Sequence, residues 1–205
     1  MKKLIIYIHG KGGNSKEAMH YKAIFNDCDV IGFDYKSQTP WDAKKEFSDY
    51  FDKVCKNYQT VEIIANSIGT FFAMNSLSNK KIAKSYFISP IVDMQKLISD
   101  MMIWANITEA ELSSKKEIKT NFGETLSWEY LCYVREHPIT WNIPTYILYG
   151  EKDNLTSLET ITNFANHINA PLTIMKNGEH WFHTENQMSF LDKWLESSMS
   201  KNLTS

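Results

Sequence analysis

Short runs of strand-forming residues alternate with helical periodicity along the chain. The runs are residues 3–9 (KLIIYIH), 29–35 (DVIGFDY), 61–66 (VEIIAN), 84–89 (KSYFIS), 144–150 (PTYILYG) and 171–176 (PLTIMK). Several are continuously apolar. A strand with one wet face alternates apolar and polar residues, whereas a strand covered on both faces has no reason to. The pattern therefore predicts a parallel sheet with helices on both sides. Helical periodicity fills the intervals at about 15–25, 41–56, 68–79, 157–168 and 185–198. Two helix starts read as capping boxes, Thr156 with Glu159 and Thr184 with Gln187. This alternation predicts an α/β fold with a doubly wound, mainly parallel six-stranded sheet, in one domain spanning 1–205.

Residues 91–142 break the rhythm. They hold no good strand pattern, yet they are rich in large apolar residues, among them Met94, Leu97, Met101, Met102, Trp104, Trp128, Tyr130 and Tyr133. The expectation is helices at about 92–105 and 125–136, joined by the lysine-rich SSKKEIKTN as an exposed link. Such a length exceeds an ordinary crossover, and long excursions often act as lids or binding elements. Met101, Trp104 and Trp128 are therefore candidate substrate-binding residues. The plain alternative is that they belong to the core.

Composition narrows the classes. The chain has 205 residues, 43% hydrophobic and 22% charged, with a net charge of −2. A chain of this length buries about 70% of the surface it exposes when unfolded. The charge balance argues against nucleic acid or an anionic membrane surface as a partner. Among the 22 basic residues only Arg135 is an arginine. Bidentate clamps on phosphate are usually arginine work. Cys28, Cys55 and Cys132 are widely spaced and form neither a disulfide framework nor a metal-ligand pattern. The apolar stretch Leu4 to Ile8 is shorter than a signal-peptide core of roughly 7–15 residues. No run approaches membrane-spanning length. A cytoplasmic protein without membrane insertion is the expectation.

The candidate chemistry centres on Ala65-Asn66-Ser67-Ile68-Gly69, which joins a strand to a helix. A nucleophilic serine needs such a sharp turn, with small residues flanking it, as in the G-x-S-x-G pattern. Here Ala65 replaces the first glycine. Serine also needs a base, and the base an orienting carboxylate. Asp153, in GEKDNLT, and His180, in NGEHWFH, each follow a strand, as Ser67 does. Ligand sites of open α/β sheets gather at that edge. Glu151 and Asp93 are rival acids. His183 is a rival base, although its place just before the Thr184–Gln187 box suits a hydrophobic staple on Met188. His9 suits a brace for its loop. His20, His137 and His167 suit surface or packing roles. The glycine-rich loop HGKGGN after the first strand can turn backbone N–H groups inward, and with the N–H of Ile68 these can hold an oxyanion. Its spacing matches neither the dinucleotide fingerprint nor the Walker motif.

Taken together, HGKGG, ANSIG, GEKDNLT and GEHWF resemble the motifs of the α/β-hydrolase family over nearly the whole chain. The resemblance implies Ser67 as nucleophile, His180 as base and Asp153 as its partner, with Lys11 and Ile68 giving oxyanion N–H groups. It also implies a small member lacking the family's two leading strands, needing neither metal nor cofactor. The expected substrate is a small, apolar carboxylic ester. A thioesterase or peptidase of the same fold is the alternative, as is a non-catalytic protein that binds in the same cleft.

Overall fold

In the computed structural model, which describes residues 2–200, the six apolar runs pair into one sheet. Its strands are β1 (Lys3–Ile8), β2 (Asp29–Phe33), β3 (Thr60–Asn66), β4 (Lys84–Ile88), β7 (Thr145–Gly150) and β8 (Leu172–Met175). Every neighbouring pair is parallel, in the order β2-β1-β3-β4-β7-β8. Helices α1 (Ala18–Lys22), α2 (Pro40–Val54), α3 (Ile68–Leu77), α7 (Leu158–His167) and α8 (Glu185–Met199) connect or follow them.

The unbroken apolar runs have a direct cause. Leu4, Ile6 and Ile8 face one core with Phe47, Phe72 and Ile161, while Ile5 and Tyr7 face a second with Tyr21, Leu191 and Trp194. Successive strand side chains point to opposite faces, and both faces are covered. Each such side chain contributes roughly 1.5–3 kcal/mol by leaving water. The chain reverses its winding direction between β1 and β3, so the loops after these two strands meet at the carboxyl edge of the sheet.

The excursion contains α4 (Met94–Trp104), α5 (Glu109–Lys115), a hairpin of β5 (Glu117–Lys119) and β6 (Thr125–Ser127), and α6 (Trp128–Glu136). The hairpin corrects the expected exposed link. Three-residue strands are too short for an alternating signal to register, and pairing across the turn at Gly123 (φ +88°) is what defines them. The helix-start reading also needs one change. Thr184 and Gln187 do form a capping box, but Ser157, not Thr156, caps α7. Thr156 is held in the preceding loop, where its hydroxyl donates to the Pro90 carbonyl at 3.2 Å. Among the described residues no helix is long and apolar enough to cross a membrane, and no group of His, Cys, Asp and Glu could hold a metal ion.

Candidate active site

Ser67 sits between β3 and α3 with φ +52° and ψ −124°, a backbone conformation disfavoured for any residue with a side chain. The turn is held by both neighbours. The Ser67 N–H donates to the Ile88 carbonyl at 3.1 Å, and the Ser67 carbonyl accepts from Ile91 at 3.2 Å. Gly69 lets α3 approach the end of β1, since a Cβ there would lie 2.3 Å from the His9 carbonyl oxygen. The turn thus needs a small residue at 69, while fully buried Ala65 fits at the other flank.

Ser67, His180 and Asp153 are brought together from three strand ends. His180 Nε2 lies 2.8 Å from Ser67 Oγ, and His180 Nδ1 lies 2.7 Å from Asp153 Oδ2. The Asp153 side chain is 0% exposed and that of His180 16% exposed. The other Asp153 oxygen, Oδ1, accepts from the N–H groups of Leu155 at 2.8 Å and Thr156 at 3.1 Å. With Oδ1 occupied, Oδ2 is aimed at the ring. A carboxylate can only accept, so Nδ1 carries the proton and Nε2 turns its lone pair to the serine. Burial and then the Asp153 charge push the neighbouring Tyr149 phenol up to about 12, leaving it a neutral donor to the Thr156 carbonyl at 2.7 Å.

The loops carrying Asp153 and His180 are packed backbone to backbone. A Cβ on Gly150 would lie 2.4 Å from the Glu179 carbonyl oxygen, and Lys152 N–H donates to the Gly178 carbonyl at 2.7 Å. The rival residues have other partners. Glu151 accepts from the Asn177 N–H at 2.8 Å, and Asp93 caps α4 through the Lys96 N–H at 2.8 Å. His183 stacks on Trp181, with centroids 4.4 Å apart, and its Nδ1 lies 2.7 Å from the Trp181 carbonyl. His20 pairs with Asp192 at 2.7 Å, and His137 stacks on Tyr133 at 4.1 Å.

Lys11 follows β1 in the glycine-rich loop. Among the described residues neither its backbone N–H nor that of Ile68, the first residue of α3, donates to another protein group. Gly10 packs against Ser67, where an added Cβ would lie 3.0 Å from the serine Cβ. One device escaped the sequence reading although its signal was local. Asn14 and Glu17 form a capping box just after the glycines, and Tyr7 donates to the Glu17 carboxylate, which fixes this loop to β1. The Lys11 side chain pairs with Glu124 at the hairpin.

Ser67 opens into a cavity of about 1010 Å³. Phe72, Leu97, Ile98, Met101, Trp104 and Tyr130 give it a largely apolar wall. Of the three candidate substrate-binding residues, Met101 and Trp104 line this cavity. Trp128 does not line the cavity. It is the first residue of α6 and packs on the main core, as does Tyr130, two positions on, which also lines the cavity. Positions i and i+2 lie on different sides of a helix. Tyr130 and Glu124 were missed because nothing in their immediate sequence marks them.

No family model matches the chain, and no curated protein matches it. Solved structures do match. Est1E from Butyrivibrio proteoclasticus has a TM-score of 0.76 at 14% identity, covering 97% of this chain and 87% of that one. The α/β hydrolase domain-containing protein 10 from mouse has a TM-score of 0.75 at 16% identity, covering 96% and 89%. A monoacylglycerol lipase from Paleococcus ferrophilus has a TM-score of 0.62 at 13% identity, covering 95% and 94%. Identities this low speak to backbone architecture, and on that evidence the chain has the α/β-hydrolase fold.

Proposed function

We propose that the protein is a serine hydrolase that cleaves carboxylic esters of small, largely apolar substrates through an acyl-enzyme. The observation that carries this reading is the continuous path from Asp153 Oδ2 to His180 at 2.7 Å and from His180 to Ser67 Oγ at 2.8 Å. Serine is a weak nucleophile unless a positioned base takes its proton as it attacks.

Ser67 Oγ attacks the ester carbonyl carbon while His180 Nε2 accepts the hydroxyl proton. Buried Asp153 holds the ring in the required tautomer and stabilises the imidazolium that forms. The carbonyl oxygen becomes an oxyanion and takes the N–H groups of Lys11 and Ile68. Donors fixed in advance need no reorganisation when the charge develops. His180 then protonates the departing alcohol. Water, deprotonated by the same ring, attacks the acyl group and restores Ser67. No step requires a metal or an organic cofactor. A cytoplasmic location fits the free thiols of Cys28, Cys55 and Cys132.

Two observations favour esters of small apolar molecules: the apolar wall of the cavity and its volume of about 1010 Å³. Thioesters and peptides need the same triad, so relative rates on matched ester, thioester and amide substrates decide among them. The test of the whole reading is covalent capture. A fluorophosphonate probe is expected to label the protein stoichiometrically at Ser67 and to leave Ser67→Ala unlabelled. A folded wild-type protein that is neither labelled nor active on any p-nitrophenyl ester would make it a non-catalytic binder.

A further inference from the structure

Of the large apolar side chains left exposed among the described residues, only Trp104 and Phe122 also line the cavity above Ser67. Trp104 is 50% exposed and Phe122 42% exposed, so the wall they form is open to solvent at the cavity mouth. Their rings meet edge to face, with centroids 6.3 Å apart. Single apolar residues on a surface are ordinary, but a paired aromatic patch continuous with a binding cavity marks surface that a ligand covers.

The patch ends a stripe that starts beside the nucleophile. The Ile91 N–H donates to the Ser67 carbonyl at 3.2 Å, which fixes the segment leading into α4. Met94, Leu97, Ile98, Met101 and Trp104 then line the cavity at spacings of three and four residues, which puts them on one face of α4. From Met94 to Trp104 the helix rises about 15 Å, at about 1.5 Å per residue. An extended hydrocarbon chain advances about 1.25 Å per carbon, from a C–C bond of about 1.52 Å at a near-tetrahedral angle, so roughly eight to twelve carbons reach along the stripe. Phe122 comes from a separate element, the turn between β5 and β6. The Thr120 hydroxyl closes that turn, donating to the Glu124 carbonyl at 2.8 Å and accepting from the Glu124 N–H at 3.0 Å. Glu124 pairs with Lys11, so the turn that carries Phe122 is tied to the glycine-rich loop beside Ser67.

We propose that the cavity takes esters with a linear hydrocarbon chain of roughly eight to twelve carbons, and that Phe122, together with Trp104, is the specificity determinant that clasps the far end of the chain. The inference rests on the ester-hydrolase reading. In the free protein the two rings stand half in water, and a chain laid against them withdraws both ring and chain surface from it. Each methylene that finds apolar wall is worth about fourfold in kcat/KM. A short chain leaves the rings wet and gains nothing from them. The continuity of the patch with the cavity assigns it to the substrate. A lipid surface or a second copy of the chain would cover Ile103 as well, which is 73% exposed beside Trp104 and lies outside the cavity lining.

The test is a chain-length series. p-Nitrophenyl esters of linear acids from acetate to dodecanoate, and acetates of linear alcohols from ethanol to dodecanol, are assayed below the concentrations at which they aggregate. In at least one series kcat/KM is expected to rise at least about tenfold between four and ten carbons. Phe122→Ala and Trp104→Ala are each expected to lower that ratio at least about fourfold, and Phe122→Leu, which keeps an apolar side chain, to retain most of it. Ile103→Ala is expected to keep the ratio. Thermal melts confirm that each variant is folded. A wild-type ratio near one in both series, a ratio that survives in either Phe122→Ala or Trp104→Ala, or a rise seen only with aggregated substrate would overturn the proposal while leaving ester hydrolysis intact. An equal loss in Ile103→Ala would also overturn it, by giving the patch to a lipid surface or a second copy. If the wild type cleaves no ester, the hydrolase reading fails by itself, and calorimetry of Ser67→Ala with butanamide and decanamide decides the inference. Tighter decanamide binding that an added Phe122→Ala removes would uphold it. Equal binding of the two amides, or tighter binding that survives Phe122→Ala, would overturn it.

Discussion

Asp153 offers a substitution whose effects on stability and turnover separate cleanly. Its two oxygens have different partners: Oδ1 accepts from Leu155 and Thr156, and Oδ2 faces His180 Nδ1. Asp153→Asn keeps a carbonyl oxygen for the two N–H groups, which forces the amide NH₂ toward the histidine. His180 Nδ1 must then accept, the ring proton moves to Nε2, and Nε2 can no longer take the serine proton. The corresponding change in a serine-protease triad costs about 10⁴ in turnover, or roughly 5.5 kcal/mol at 1.36 kcal/mol per tenfold. Asp153→Ala loses the same function and also leaves two donors unpaired at a site that is 0% exposed. At roughly 1–2 kcal/mol per unmet donor, the loss is about 2–4 kcal/mol. For a chain of this size that lowers Tm by roughly 4–16 °C. The assay is thermal unfolding by circular dichroism together with kcat on one p-nitrophenyl ester. The expected result is two nearly inactive variants, of which only the alanine form melts substantially lower. If Asp153→Asn kept more than about a tenth of wild-type kcat, the tautomer argument would fail. An alanine variant as stable as the asparagine one would refute the account of Oδ1.

Two further outcomes follow from the same geometry. Ser67→Ala and Ser67→Gly should both lose on the order of 10⁶ in turnover. The glycine form should melt higher by roughly 1–3 °C, because φ +52° is strained for alanine and not for glycine, and the reverse order would show that the turn stores no strain. The Lys11–Glu124 pair ties the glycine-rich loop to the hairpin and is largely exposed, so Glu124→Gln should change Tm little and lower kcat/KM about two- to fivefold at low salt. That deficit should shrink as sodium chloride weakens the pair in the wild type, and a deficit independent of salt would mean that the pair does not position the loop.

What the sequence determines here is local. Unbroken apolar runs at 3–9 and 144–150 exist because each strand is covered on both faces, and that requirement is written in the run itself. The turn at Ser67 is legible because a strained strand-to-helix turn needs small neighbours, here Ala65 and Gly69. Asp153 and His180 are legible because each follows a strand, and parallel strands deliver their carboxyl ends to one edge. Periodicity specifies that a residue is buried without naming what covers it, so other features were decided only by tertiary packing. The hydroxyl of Thr156 reaches Pro90, which leaves the cap of α7 to Ser157. The hairpin of β5 and β6 exists through cross-strand pairing that three-residue segments cannot announce. Trp128 and Tyr130 both pack against the main core, yet the rotation of α6 brings only Tyr130 to the cavity wall as well. Lys11 and Glu124 stand 113 positions apart, and only the folding of the excursion over the sheet edge makes them partners.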